Sequence, residues 1–246
     1  MSKITDNFKL DYLLLTTENI NFLNKINFLI SKYYCILLNK RKISYLGSDF
    51  YYDNRFAPAI LEEFPKEISN LDKDINLSTI RIVLDVGANI GQFSFTLKKL
   101  YPQVKIFAFE PNKEPFRFLK KNMKGSNVYN YGLGISGKRS FFCPESSTEG
   151  SLYDNGGKEI KVEIIDINKL NIPKEFDLVK IDVEGAELEV LKSLKDIKFR
   201  YLFIEDVGGK NLIEINKIIE KRNPNLISFR DNLNALIECK VNNETP

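Results

Sequence analysis

Histidine is absent from the 246-residue chain. That absence removes Ser-His-Asp triads, HExxH metal sites and every imidazole base at once. Proton transfer must therefore run through Asp, Glu, Lys, Tyr, Cys or a metal-bound water. Cysteine is scarce: Cys35, Cys143 and Cys239 are dispersed, with no CxxC pair and no zinc-ligand spacing. Such a set argues against a disulfide framework and for reduced thiols in a cytoplasmic compartment. Charge of one sign is also missing, since 36 Lys and Arg face 33 acids for a net charge of +3. A nucleic-acid partner, which calls for a concentrated basic face, is not expected. Long apolar runs are lacking too. The most hydrophobic window, Ile26 to Leu38, is 13 residues long and includes Lys32, whereas a bilayer span needs ~20. The opening "MSKITDNFKLDY" has no signal-peptide core.

What is present fits a globular protein, with 43% hydrophobic and 28% charged residues. Residues 1–75 read as a helical extension, with apolar residues at helical spacing from Tyr12 to Leu38 and from Ile60 to Ile68. Between these runs "LGSDFYYDNRFAP" reads as a polar-aromatic loop. The run "NKRK" follows the first helix. The favoured reading is a helix packing its apolar face on the main domain. Peripheral membrane contact, leaving the protein membrane-associated, and a homodimer interface are the alternatives.

Residues 76–246 read as one α/β domain. From Arg81 short buried β-runs alternate with helices, which predicts a parallel sheet. "RIVLDV", "VKIFAFE", "NVYNYGL", "FDLVKIDV" and "YLFIEDV" are the strands, each but the third followed directly by a helix. "KRSFFCP" and "IKVEIID" are further β-runs separated by the polar loop "ESSTEGSLYDNGGK". The chain closes on "LISFR", "DNLN" and "ALIECKV", an antiparallel hairpin.

The chemistry concentrates in "RIVLDVGANIGQFSFTL". In an open α/β sheet the ligand lies beyond the carboxyl ends of the strands, at the first strand-to-helix turn. Gly87 and Gly91 occupy that turn. Gly87 admits a left-handed backbone and a ligand against it, and Gly91 opens the helix and packs closely on the sheet. A dinucleotide fingerprint, G-x-G-x-x-G, would carry glycine where Asn89 stands. A pyrophosphate would meet that side chain, which opposes a nicotinamide dehydrogenase. No Walker lysine follows. Glu110 ends the second strand, where a carboxylate accepts ribose hydroxyls. Asp85 either holds the turn or faces a cationic ligand. Adenosine carrying a positive charge describes S-adenosylmethionine.

"VLDVGANIGQFS", "FAFEPN" and above all "DLVKIDVEGAELEVLKS" resemble the FkbM-type family of S-adenosylmethionine-dependent methyltransferases, over about residues 81–206. The resemblance implies the class I methyltransferase fold, a seven-stranded Rossmann-like sheet ending in an antiparallel hairpin. It implies that Asp85, Gly87, Ala88, Asn89 and Gly91 line the methionine end of the cofactor. Glu110 would hold the ribose, with Pro111 a further cofactor-binding residue, and the backbone near Gly132 and Leu133 would border the adenine. Family members typically O-methylate sugar hydroxyls in glycans or secondary metabolites.

A sugar hydroxyl needs a base as its bond to the methyl group forms. Without histidine, Asp182 and Glu184 at the end of the fourth strand are the candidates, two apart and so on one side if extended geometry continues. Asp182 is expected nearest the methyl group as base or metal ligand, with Glu184 orienting the acceptor or sharing that metal. Lys180 pairs with either acid, or else faces the sheet edge or snorkels to water. Glu205 and Asp206 form the opposite wall. The rival role for Asp182 and Glu184 is capping the next helix. A bound Mg²⁺ would suit such carboxylates, but an obligatory metal is not favoured. Tyr51, Tyr52 and Arg55, and the stretch Ser146 to Asn155, are the candidate acceptor loops. The expected acceptor is a carbohydrate or glycoconjugate hydroxyl. An N-methyltransferase, a methyltransferase of a small secondary metabolite and a non-catalytic adenosine-binding protein are the alternatives.

Overall fold

A computed structural model describes residues 20–38, 40–52, 66–143, 157–205, 212–220, 224–230 and 234–239. The central sheet is built from β3 (Ile82–Val86), β4 (Lys105–Phe109), β5 (Asn127–Tyr129), β9 (Glu175–Ile181), β10 (Lys198–Glu205), β11 (Pro224–Arg230) and β12 (Asn234–Cys239). Their order across the sheet is β11-β12-β10-β9-β3-β4-β5. All neighbours run parallel except β12, which is antiparallel to both β10 and β11. The order reverses between β3 and β9, so a crevice opens beyond their carboxyl ends.

The parallel strands are buried on both faces, which is why they read as continuous apolar runs. Their side chains alternate between two separate cores. Val83, Ala108, Leu178 and Phe203 belong to one, and Leu84, Val86, Phe109, Val179 and Ile204 to the other. On the first face lie α3 (Gln92–Leu100) and α4 (Lys113–Asn122), and on the second α5 (Glu187–Ser193) and α6 (Leu212–Glu220).

The extension is not simply helical. It holds α1 (Phe22–Leu37), capped by Asn21, whose side chain accepts from Asn24 N, and α2 (Lys66–Asp74). Between them β1 (Lys42–Tyr45) and β2 (Ser48–Tyr51) form an antiparallel hairpin. Ile43, Tyr45 and Phe50 alternate inward, and the Leu46–Gly47 turn takes positive φ at both residues, 48° and 72°. Those are the demands of a two-residue hairpin turn. The hairpin covers the outer face of α3: the Phe95 ring meets Phe50 edge-on at 5.0 Å and stacks near Tyr45 at 6.4 Å. Hence α3 buries Phe93, Ser94, Phe95, Thr96 and Leu97 in one run.

The third predicted strand is interrupted. After β5 the chain breaks at Asn130 and resumes as β6 (Gly132–Leu133), which joins a separate three-stranded sheet with β7 (Gly137–Cys143) and β8 (Lys158–Ile165). The break frees the Asn130 amide to donate to the carbonyls of Glu110 and Pro111 at 2.8 and 3.0 Å. Ser146 to Asn155, Arg55 and Asp206 lie outside the described residues.

Candidate active site

Four segments meet at the reversal point. The first is the glycine turn, Gly87 to Gly91. Gly87 has φ 82°, and a Cβ there would stand 1.7 Å from the carbonyl oxygen of Asp182. The glycine is thus required by the approach of β9 and not only by a ligand. Gly87 N and Ala88 N both donate to Phe109 O, at 3.0 and 2.9 Å. Gly91, at φ 93°, faces α4 and not the sheet, since a Cβ there would stand 2.9 Å from the Leu119 side chain.

The second segment is the acidic loop after β4. Glu110 is buried, and burial pushes its carboxyl up to about 7. Two backbone amides oppose that shift: Asn89 N donates to Oε2 at 3.0 Å, and Asn112 N to Oε1 at 2.8 Å. Each carboxylate oxygen keeps a lone pair beyond the one these amides use. Asn112 also caps α4 by accepting from Glu114 N. Glu110 therefore ties the glycine turn to the loop as well as offering acceptor capacity to a ribose. Pro111 packs toward Gly132, where a Cβ would lie 3.6 Å from the proline ring and 2.5 Å from Ile164. Leu133 beside it is buried. The residues expected around the ribose and the adenine are thus contiguous.

The third segment is the end of β9. Asp85 and Lys180 are paired neighbours across β3 and β9. Asp85 is fully buried, its carboxyl raised by burial and pulled back by Lys180 and by Ser94, whose hydroxyl donates to Oδ2. Lys180 is buried as well, so it neither lies at the sheet edge nor snorkels to water. Its Nζ sits 2.8 Å from Asp182 Oδ2 and 5.5 Å from the centre of the Phe93 ring. The Asp182 side chain keeps 25% exposure, against 5% for Lys180. Two acids thus flank one buried ammonium, and the outer acid reaches the crevice.

Extended geometry does not continue to Glu184. The strand ends at Ile181, and Glu184 takes a left-handed φ of 50° ahead of Gly185 at 99°. The two-apart spacing therefore does not put Asp182 and Glu184 side by side as strand neighbours. Such a conformation in a non-glycine residue persists only where its surroundings impose it. Glu187, buried in the first turn of α5, braces the turn by accepting from Gly185 N at 2.6 Å. The fourth segment is the end of β10. Glu205 stands one residue past the pairing of Ile204 with Ile181, beside the Asp182 position.

Tyr51 and Tyr52 do not form a loop over the site. Tyr52 is fully buried in the core, and Tyr51 ends β2 beneath the Lys121 ammonium, 3.5 Å from its ring centre. Tyr51 is instead a structural link. Its amide donates to Asn122 Oδ1 at 2.7 Å, while Asn122 Nδ2 donates to Tyr51 O at 2.9 Å and to Ile90 O at 2.8 Å. Ser94, Asn112, Asn122, Asn130 and Glu187 escaped the sequence reading. Ser94, Asn112 and Glu187 fall inside the quoted motifs and Asn130 inside a quoted strand, which is the only sequence signal for them.

Two buried polar atoms in the first and third segments have no hydrogen-bond partner among the described residues: Asp85 Oδ1 and Asn89 Oδ1. Burying such atoms unpaired is costly, and a bound ligand with donor groups would relieve that cost. A cleft of about 800 Å³ runs along α5 from Gly185 and Ala186, lined by Arg139, Lys169, Lys192 and Lys195 among others.

The sheet order, the glycine turn with an acid closing the next strand, and the antiparallel terminal strands define a class I methyltransferase. The family model for the methyltransferase FkbM domain matches residues 85–225. Methyltransferase 1 of Beauveria bassiana is 30% identical over 186 residues, covering 61% of this chain and 74% of that protein. Methyltransferase sdnD of Sordaria araneosa is 30% identical, covering 49% of this chain and 63% of its own length. Hexuronic acid methyltransferase AglP of Haloferax volcanii is 31% identical, covering 57% and 62% respectively. The chain thus spans a little under two thirds of these last two relatives. It belongs to the FkbM family of methyltransferases, and S-adenosylmethionine-dependent methyl transfer is the activity of its class.

Proposed function

We propose that the enzyme methylates a hydroxyl of a sugar in a glycan or glycoconjugate, with Asp182 as the base. The observation that carries this reading is the Lys180–Asp182 pair, which holds one partly exposed carboxylate at the carboxyl end of β9 beside the glycine turn. When bound, S-adenosylmethionine supplies an already activated methyl group on a sulfonium. Asp85 and Asn89, with their unused buried oxygens, would receive its amino-acid end, and Glu110 its ribose hydroxyls. Gly132 and Leu133 would flank the adenine. Lys180 fixes the Asp182 carboxylate by one charge-assisted hydrogen bond, leaving the other oxygen to take the acceptor's proton. Glu184, held out of extended geometry, orients the acceptor, and Glu205 forms the neighbouring wall. Positioning of the hydroxyl supplies much of the rate, because the donor needs no further activation.

The cleft that begins at Gly185 would take the remainder of the acceptor, and its four cations, set against the two acids Asp166 and Glu189, suit sugars bearing carboxylates. The AglP relative, named for hexuronic acid, accords with that choice. The test is a methyl-transfer screen over nucleotide sugars and neutral or uronic-acid oligosaccharides, with the product located by NMR. A methyl ether on a sugar hydroxyl is expected. A methylated nitrogen, or cofactor binding with no acceptor turned over, overturns the reading.

A further inference from the structure

The outer face of α1 is built the wrong way round for a helix packed on a water-soluble body. Lys25 and Lys32 are buried against the protein with Phe28 and Cys35. Phe22, Leu23, Ile30, Tyr33, Tyr34, Leu37 and Leu38 are 46–81% exposed. Their spacing makes one continuous stripe along the helix. Apolar exposure on that scale marks an interaction surface and not ordinary scatter.

Charge decides the partner. From Asn19 to Ser48 the sequence contains five Lys or Arg residues and no acid. Three of the five, Lys40, Arg41 and Lys42, are exposed just past the end of the stripe, with Lys42 paired to Asp49. A second copy laid along α1 would bring more lysine and no carboxylate from this segment. A layer of anionic headgroups offers both an apolar medium for the stripe and counter-charge for its basic end. Tyr33 and Tyr34 suit the boundary between the two. The 16-residue helix is roughly 24 Å long, short of the ~30 Å hydrocarbon core, and no described helix is long and apolar enough to cross a membrane. It would lie in the interface plane.

We propose that α1 and the basic run Lys40–Lys42 dock the enzyme on an anionic lipid surface. The platform is rigidly mounted. Ser44 N donates to Ser31 Oγ at 3.0 Å, joining α1 to the hairpin, and Asn122 joins the hairpin to Ile90 of the cofactor turn. The proposal does not depend on which acceptor is methylated.

The chain has no tryptophan, so a single Phe22→Trp substitution at an exposed position gives an unambiguous optical probe. The full chain is mixed with vesicles of phosphatidylcholine alone or with added phosphatidylglycerol. Emission should be that of exposed indole without vesicles and shift to the blue with the anionic ones only. Binding should weaken with salt and fall roughly fivefold for each of Lys40→Gln and Arg41→Gln. Ile30→Asn with Leu37→Asn should abolish it while unchanged circular dichroism and S-adenosylhomocysteine binding certify the fold. Emission that is already blue without lipid, with a dimeric mass in light scattering, assigns the face to a second copy and overturns the proposal. Blue emission in a monomer assigns it to the chain's own remaining segments, with the same consequence. Failure of the exposed probe to respond to either vesicle also ends it.

Discussion

The α-carbon of Gly87 faces the backbone carbonyl of Asp182, so closely that a methyl group there would overlap its oxygen at 1.7 Å. The amide of Asp182 in turn donates to Val86 O at 3.0 Å. The cofactor turn and the segment carrying the base are therefore locked against each other through backbone. The Val183 side chain closes the same contact, 3.1 Å from where that methyl group would stand.

Gly87→Ala must push that carbonyl away and also hold alanine at φ 82°. A left-handed alanine costs ~1–2 kcal/mol, and forced displacement of packed structure adds ~1–3 kcal/mol. Gly125→Ala is the control, since Gly125 has φ 86° with nothing within 4 Å. Thermal denaturation should show the first variant losing far more stability than the second. Equal losses would mean that the close approach is relieved at little cost.

If Asp182 is the base, Asp182→Asn should reduce kcat roughly 100-fold or more. Calorimetry should show its affinity for S-adenosylhomocysteine unchanged, because the carboxylate is held by Lys180 and not by the glycine turn. A variant with wild-type turnover would transfer the role to Glu184 or Glu205.

Asn122 is the bolt between the extension and the site. Replacing it with alanine removes three hydrogen bonds to Tyr51 and Ile90. The loss should be ~2–3 kcal/mol, read by chemical denaturation, with a weaker affinity for S-adenosylhomocysteine in the still-folded protein. Asn122→Asp keeps an acceptor for the Tyr51 amide but neither donor, so its defect should fall between. An affinity unaffected by both would show that the hairpin does not support the turn.

The sheet was legible because buried parallel strands leave uninterrupted apolar runs such as "RIVLDV", and because the Gly91 start and the Pro102 beyond the end of α3 punctuate its helix. The hairpin at 42–51 was missed although its signal is present: Ile43 and Tyr45 alternate with polar residues and Gly47 marks a turn. Strands of four residues are too short for that period to stand out, and the second falls in a polar-aromatic stretch that reads as a loop. Glu184 was misjudged for a different reason. Its left-handed φ accompanies the Gly185–Glu187 contact beside it, and no local propensity announces it. Asn122 and Asn130 bond residues 71 and 20 positions away, and a single sequence carries no trace of such pairings. Burial of Lys180 was equally invisible, since it depends on which strand lies beside β9.

With no imidazole to titrate, pH dependence near neutrality falls to shifted carboxylates, and Glu110 is raised to about 7 by burial. Cys143 is raised too, which moves it out of that range. A carboxyl whose folded value exceeds its unfolded one binds more protons when folded. Stability of the ligand-free protein should therefore fall as pH rises from about 4.5 to about 7, by up to ~3 kcal/mol. Asp85, raised in the same sense, adds to the trend. Ligand binding should run the other way, because the ionised Glu110 is the better acceptor for ribose hydroxyls. Affinity for S-adenosylhomocysteine should rise between pH 6 and pH 8, about the value near 7. Glu110→Gln abolishes the charge but keeps an oxygen for one backbone amide, so it should bind weakly at every pH and lose most of that slope. A wild-type slope retained in Glu110→Gln would place the titrating group at Asp85 instead.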